Sequence, residues 1–477
     1  MPSNDHLPLY VDLDGTLIAT DSLWENILLV LKISPLSCFK AGIVLITKGK
    51  AVFKTHLATI GIPQVEYFPY RSSIVQMLEV ERKKGRRLIL ATAAHGRIAR
   101  AVARHLGCFD DILATESTNL KGERKLQAIQ SHAKGGFVYL GNDREDVSIW
   151  KGASERWCVG TTEDVTAFEK ELGVSFDKAF SIQGWSAQNV MRTLRVQQWT
   201  KNILLFFPLL LAHRLEADVW LRVGFAFLVF SACASGVYIF NDLFDLEADR
   251  RHPTKSKRPL AAGDVSIQHG LCLGVVSFMF AALGSWWLDR AFFWLLLGYI
   301  FLTTIYTHRL KRLPIVDVLF LAAFYVYRLI VGGAVSQTVL SPWLFVFAAF
   351  FFLSLGVAKR YGELLLVSDR GETASHGRGY QAEDRGLLLI FGVNAAFLSL
   401  LVFTLYFQSA DIYHLYSSPS FLWGVLLLMS YWLMRLWLLV HRRVVRDDPL
   451  VFTLKDHASW VVGAASVVLV FLATWYG

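Results

Sequence analysis

Two patterns of apolar residues divide the chain. Up to about residue 195, short apolar runs alternate with polar stretches, the mixture expected of an α/β domain in water. Beyond it, apolar runs approach the roughly 20 residues that a bilayer-crossing helix needs. Nine candidate spans follow one another, at 202–212, 219–240, 271–288, 292–306, 315–335, 343–357, 387–407, 421–440 and 460–475. The first is the weakest, because Pro208 interrupts it and Arg214 follows closely, and it is expected to extend upstream through Trp199.

Charge tests this count. Met1 to Pro8 is polar and leads directly into an apolar strand, which predicts no signal peptide and a cytoplasmic N-terminal domain. With the N-terminus inside and alternating spans, the inside loops hold 17 Lys and Arg residues, from Arg250 to Lys455, and the outside loops only Arg214, Arg222 and Arg290. That asymmetry predicts a multi-pass protein of the inner (cytoplasmic) membrane with its C-terminus outside. The net charge of +9 is explained by these loops and calls for no nucleic-acid partner. The five cysteines have neither CxxC nor Cys/His ligand spacing and are read as reduced.

Topology alone accounts for Arg442, Arg443 and Arg446. It does not account for the first inside loop, where acids and bases are ordered. Asn241, Asp242, Asp245 and Asp249 recur where an apolar helix stops, and Lys255, Lys257 and Arg258 follow. Four-residue spacing puts Asn241, Asp245 and Asp249 on one helix face. Clustered carboxylates repel unless a cation lies among them. Mg²⁺ takes oxygen ligands and is commonly shared with substrate phosphates. The loop therefore reads as a Mg²⁺-diphosphate site, with Asp242, Asp245 and Asp249 as its functional core and the bases neutralising the remaining charge.

This pattern, NDxxDxxxD after a membrane helix and then HPxKxxRPLAxG, resembles the UbiA superfamily of intramembrane prenyltransferases from about Leu194 onward. The resemblance implies an all-α bundle of nine transmembrane helices with a cytoplasmic metal-diphosphate site. The second acidic motif of the typical aromatic prenyltransferases is missing, and its place reads Ala358-Lys359-Arg360-Tyr361-Gly362-Glu363. Upstream, Leu194-Arg195 with Gln198-Trp199 and Lys201-Asn202 is similar to the polyprenyl-phosphate phosphoribosyltransferases of that superfamily. So are the stretch from Leu310-Lys311 through Asp317 to Arg328 and Gly332, and Gly377-Arg378-Gly379-Tyr380. The resemblance implies phosphoribosyl diphosphate as donor and polyprenyl phosphate as acceptor. Arg195, Lys201, Asn202, Lys255, Arg258, Lys311, Arg328, Lys359, Arg360 and Arg378 are then the expected substrate-binding set. Arg328 lies inside an apolar helix, where a charge needs a partner from protein or substrate. A prenyltransferase acting on a small acceptor, and a non-catalytic transporter or scaffold, are the rival readings.

In the first half, Leu9–Leu13 is an apolar strand followed by Asp14-Gly15-Thr16. Asp12 and Asp14, two residues apart, leave the strand end on one side. A strand ending at Thr92, Lys125 opening a helix, and a strand ending in Gly141-Asn142-Asp143 with Asp146 complete four motifs in order, as in a parallel α/β sheet with its site at the carboxyl ends. These motifs resemble the haloacid dehalogenase (HAD) phosphatases. The resemblance implies Asp12 as nucleophile, Asp14 as general acid and base, Thr92 and Lys125 on the phosphoryl group, and Asp12, Asp14, Asp143 and Asp146 around Mg²⁺. The family's usual Gly-Asp is Gly-Asn here, so the ligand falls to Asn142 or to Asp143. The expected organisation is a HAD-like domain over 1–173 with a helical cap at about 22–73, a linker with an interfacial helix over 174–193, and a transmembrane transferase domain over 194–477. In the linker, Phe176, Phe180, Ile182 and Trp185 carry the interfacial helix.

Overall fold

The computed structural model describes residues 7–116, 118–369, 379–409, 412–445 and 448–475. It divides into two compact units, residues 1–195 with 238–276, and residues 196–237 with 277–477.

The first unit is built on six parallel strands in the order β3-β2-β1-β4-β5-β6. They are β1 (Leu9–Val11), β2 (Leu88–His95), β3 (Asp111–Thr115), β4 (Val138–Gly141), β5 (Glu155–Gly160) and β6 (Lys178–Ser181). Alternation along the strands sends Leu9, Val11, Leu88, Leu90, Val138 and Leu140 to one face and Tyr10, Ile89, Ala91 and Tyr139 to the other. Both faces are apolar because helices cover both. The strand order reverses at β1 and β4, so their carboxyl ends, carrying Asp12 and Asn142, flank the topological switch point.

The cap is a helical hairpin, α1 (Ser22–Ile33) and α2 (Pro35–Ile60), the latter kinked at Gly49, where φ is +82°. Asp21 caps α1 by accepting from the Leu23 and Trp24 amides. The segment expected to be a linker with an interfacial helix is different in the structure. Residues 178–181 add β6 to the sheet, and Phe176, Phe180 and Ile182 pack into its two cores. A short helix, Ala187–Thr193, follows.

The acidic loop belongs to this unit. The membrane helix Ala217–Phe244 ends there, Asp245 turns the chain, and Leu246–Arg251 is a short helix. Ile239, Leu243, Leu246 and Leu260 form a small core onto which Trp24 and Leu28 of α1 pack. Arg250 reaches back to Glu25 of α1, with Nη2 2.6 Å from Oε1, and both side chains are almost fully buried. Thr20 also donates to Glu25 at 2.7 Å. Gly263, at φ +80°, lies so close to the Ala19 carbonyl oxygen that a Cβ would stand 2.3 Å from it. Removing the Glu25 carboxylate strands a buried guanidinium. Glu25→Ala is therefore expected to destabilise this unit by about 3 kcal/mol, seen as faster limited proteolysis of the cap hairpin.

Among the described residues, eight helices are long and apolar enough to cross a membrane: Ala217–Phe244, Ile267–Leu288, Arg290–His308, Val316–Ser336, Pro342–Leu366, Ala382–Tyr406, Pro419–His441 and His457–Trp475. They match the second to ninth expected spans. The first is corrected: Val196–Phe206 is a 3₁₀ helix and Phe207–Leu211 a short α-helix with Pro208 in its first turn. Proline cannot sit inside a regular helix but is tolerated in its first turn. The 3₁₀ rise of about 2 Å per residue still lets these segments, laid end to end, reach about 30 Å. The second unit's main core joins Tyr325, Phe352, Leu355, Tyr361, Leu433 and Trp437, with the Tyr325 and Phe352 rings stacked at 4.9 Å.

Candidate functional site

Three clusters account for the chemistry. The first lies at the carboxyl ends of β1, β2 and β4. Asp12 is buried, and the Lys125 ammonium stands 2.9 Å from its Oδ1. Burial pushes the Asp12 carboxyl up to about 6; Lys125 opposes this and Asp146 adds to it. Burial pulls Lys125 down, but Asp12 and Asp146 outweigh it and hold the ammonium above its ordinary value. Both oxygens of Asp14 accept from Ser22, from the amide at 2.8 Å and from the hydroxyl at 3.1 Å. Burial, and then the nearby Asp21, push Asp14 up to about 7. Thr92 is fully buried and its hydroxyl accepts from the Ala94 amide at 3.0 Å, within the irregular last part of β2.

Three of the expected metal positions make other contacts in this structure. Asp143 is exposed and caps the next turn by accepting from the Arg144 amide. Asp146 is enclosed by donors: Tyr139 at 2.6 Å on Oδ1, and the Asn142 and Asp143 amides on Oδ2. Its lone pairs are used to hold the loop. Asp14 is held by Ser22 as described. Asn142 instead faces the β1 loop: its Oδ1 accepts from Thr16 at 2.8 Å, and its amide nitrogen lies where a Cβ on Gly15 would be. Gly15 has φ +75°, a second reason for glycine there. Asp12 with Asn142 supplies the oxygen donors a hard divalent ion takes, so the site fits one with fewer carboxylates than expected.

The second cluster is the acidic loop. Arg258 Nη1 is shared by the Asp242 and Asp249 carboxylates, at 2.9 Å from Asp242 Oδ1. Arg195 also pairs with Asp242, and its guanidinium stacks on Tyr238. Lys255 Nζ is 3.8 Å from Asp249 Oδ1. Burial raises the Asp249 carboxyl, Arg258 opposes the shift, and Asp242 adds to it. Among the described residues no three His, Cys, Asp or Glu side chains converge to hold a metal ion. Two of the loop's carboxylates, Asp242 and Asp249, nevertheless converge on one cationic nitrogen. Asn241, Asp242, Asp245 and Asp249 offer only hard oxygen donors, so the donor set fits Mg²⁺.

The third cluster lies in the second unit. Lys201 and Lys359 both contact Asp448 Oδ2, at 2.7 and 3.1 Å. Burial pushes Asp448 up, but Lys359 and Lys201 outweigh it and hold its carboxyl well below the usual range. Tyr325 points its hydroxyl at the same carboxylate. Arg328 finds its partners within the protein. Nε donates to Asn202 Oδ1 at 2.8 Å, Nη1 donates to the Phe324 carbonyl at 2.6 Å, and the Phe230, Tyr299 and Tyr325 rings surround the guanidinium. Asn202 in turn donates to Ser231. Arg360 is almost fully buried, with its fork on Asp317 and Nη1 on Glu363 at 2.7 Å. Arg328 and Arg360, expected on substrate, thus brace the bundle, because a charge inside an apolar helix is tolerated only when paired. Lys311 sits in the turn Leu310–Arg312. Of the motif at 377–380, Gly377 and Arg378 lie outside the described residues. Gly379 packs on the Arg312 carbonyl and Pro314, and the Tyr380 hydroxyl accepts from the Ile315 amide at 2.9 Å.

The UbiA prenyltransferase family profile matches residues 203–460, more than half of the chain. The chain belongs to the UbiA prenyltransferase family. A haloacid dehalogenase-like hydrolase profile matches residues 45–149, so this UbiA member carries a HAD-like domain ahead of its membrane helices. It is 37% identical over 467 residues to the uncharacterized protein y4nM of Sinorhizobium fredii, covering 96% of this chain and 89% of that one. It is 30% identical to the nodulation protein NoeC of Azorhizobium caulinodans over 58% of this chain and 91% of that one. It is 35% identical to the decaprenyl-phosphate phosphoribosyltransferase of Mycobacterium tuberculosis over 187 residues, 38% of this chain and 62% of that one.

Two residues of this UbiA protein carried no motif. Asp448 follows another acid, Asp447, among the basic residues 442–455, and nothing local marks it as the counter-ion of Lys201 and Lys359. Lys54 reaches from α2 to the Ala93 carbonyl at 2.6 Å and Asn119 Oδ1 at 2.9 Å, a buried cap cation beside Thr92. Arg360→Lys is expected to destabilise the UbiA bundle by about 3 kcal/mol, because an ammonium cannot reproduce the fork on the fully buried Asp317. A lower thermal midpoint of the detergent-solubilised protein checks this.

Proposed function

We propose that this protein transfers 5-phosphoribosyl from phosphoribosyl diphosphate to a polyprenyl phosphate, and that its HAD-like domain removes the 5-phosphate from the product. The observation that carries the reading is a substitution. Where typical aromatic prenyltransferases of the superfamily have a second acidic motif, this chain has Lys359-Arg360, of which Lys359 meets Lys201 at Asp448 while Arg360 is taken up by Asp317, and 187 residues of the chain are 35% identical to a decaprenyl-phosphate phosphoribosyltransferase. A donor with an extra phosphate calls for more cations and fewer metals.

In this reading Asn241, Asp242, Asp245 and Asp249 hold Mg²⁺, which when bound neutralises charge on the diphosphate. Arg195, Arg258 and Lys255, now paired with the loop's own carboxylates, contact that leaving group. A phosphate oxygen of the lipid attacks the anomeric carbon, the bond from that carbon to the diphosphate oxygen breaks, and diphosphate leaves. Lys201 and Lys359, oriented by Asp448, take a phosphate, either the donor's 5-phosphate or the lipid's. In the HAD-like domain, Asp12 attacks the 5-phosphate phosphorus while Asp14 protonates the departing sugar oxygen. Water, deprotonated by Asp14, then cleaves the aspartyl-phosphate. A carboxyl raised to about 7 suits Asp14 for holding and returning a proton near neutral pH. The same reading places the protein in the cytoplasmic membrane with the HAD-like domain in the cytoplasm.

Purified protein supplied with Mg²⁺, polyprenyl phosphate and ribose-labelled phosphoribosyl diphosphate should give a labelled lipid. Transfer from a prenyl diphosphate to a small acceptor, with none from phosphoribosyl diphosphate, would overturn the reading.

A further inference from the structure

The cap hairpin presents an apolar face outward. In the first half of α2, Leu36, Phe39, Ile43 and Ile46 follow at spacings of three, four and three residues, which places them on one helix side. They are 76%, 70%, 50% and 87% exposed. The opposite side is the one that packs: Ala41 and Cys38 join Val30, Phe53 and Leu57 in the hairpin's own core. This is a helix whose second face is as oily as its first. Its charges all have one sign. Residues 26–65 contain five lysines and neither aspartate nor glutamate. Of these, Lys32, Lys40, Lys48 and Lys50 are exposed around the apolar face, while Lys54 turns inward.

The same unit fixes where this face lies along the membrane helix. Lys32, in the last turn of α1, directs its ammonium at the Phe244 carbonyl, 3.5 Å away. Phe244 is the last residue of the membrane-crossing helix Ala217–Phe244, and Trp24 and Leu28 pack beside Ile239 and Leu243 of it. The hairpin's turn, at Ser34, therefore lies at the end of a span, where hydrocarbon gives way to lipid headgroups. Exposed Leu, Phe and Ile side chains ringed by lysines match the two requirements of an interfacial helix, apolar burial and attraction to anionic lipid.

We infer that the first half of α2 seats its Leu36–Ile46 face in the headgroup and upper acyl region of an anionic bilayer, so that the phosphatase cap rests on the lipid surface. The cap would then open toward substrates held in the membrane rather than toward free solutes.

The full-length protein tests this in nanodiscs holding one copy each, made of phosphatidylethanolamine and phosphatidylglycerol. On a Cys38→Ser, Cys272→Ser background, an environment-sensitive fluorophore is attached at Ile46→Cys or, as a control on another face of the domain, at Glu163→Cys. The Ile46 probe should emit as in an apolar medium and lose most of its intensity when the lipids carry brominated chains, while the Glu163 probe stays water-like and unquenched. Replacing phosphatidylglycerol by phosphatidylcholine should weaken the quenching. A probe at Ile43→Cys should lose its quenching in a Phe39→Glu, Ile46→Glu variant. An Ile46 probe quenched by aqueous iodide and indifferent to brominated lipid would overturn the inference. So would a probe that becomes shielded only in detergent at high protein concentration, which would make the face a contact with a second copy.

Discussion

Asp245→Ala is expected to lower phosphoribosyl transfer by about 10³-fold, the scale on which a group stabilising leaving-group charge acts. Hydrolysis of a small phosphomonoester by the Asp12 site should be unchanged. Asp245 is the informative member of its cluster. Asp242 and Asp249 share Arg258, and removing either would free a cation and disturb the loop. Asp245 takes part in no ion pair among the described residues, and its side chain does not cap the helix that follows it. Its loss therefore tests chemistry with little structural cost. Measuring both activities on one preparation separates the outcomes. Retained transfer would mean that the acidic loop does not hold the donor, whereas loss of both activities would point to misfolding.

Asp12→Asn should reduce phosphomonoester hydrolysis by about 10⁴-fold or more, as removal of a nucleophile does elsewhere. Transfer should continue, and the lipid product should keep its 5-phosphate, visible by mass spectrometry as the phosphorylated species replacing the dephosphorylated one. The amide preserves the shape of the side chain and a bond to Lys125, so folding should survive. An unchanged product would separate the two halves functionally and would leave the phosphatase without its proposed substrate.

Much of this was legible in the chain because the informative residues are neighbours. The apolar run Leu9–Leu13 ending in two acids fixes a strand and a site within a few positions, and the acidic loop declares itself where a membrane helix stops. What stayed hidden depends on distance along the sequence. Glu25 meets Arg250 across 225 residues, and Asp448 meets Lys201 across 247. No local pattern marks either pair. The first membrane segment was misread as a regular helix because periodicity alone does not distinguish a 3₁₀ rise from an α rise, although Pro208 marked the break. Phe176, Phe180 and Ile182 suit a membrane surface and the core beside an edge strand equally well, and only the neighbouring strand decides. Arg328 demands a partner from protein or substrate and the resemblance puts Arg360 on substrate, and the sequence does not say that Asn202 and Asp317 lie within their reach.

The contact at Gly263 has a practical consequence. A glycine whose missing side chain is filled by the backbone of Ala19 ties together stretches of chain that a molecular biologist would cut apart at residue 195. Expressing the helical portion by itself would bare Leu243, Leu246 and Leu260 to water and leave Arg250 searching for a carboxylate. The gene is thus better dissected by point substitution than by truncation, and a shortened clone that fails to transfer sugar would say nothing about whether the phosphatase takes part.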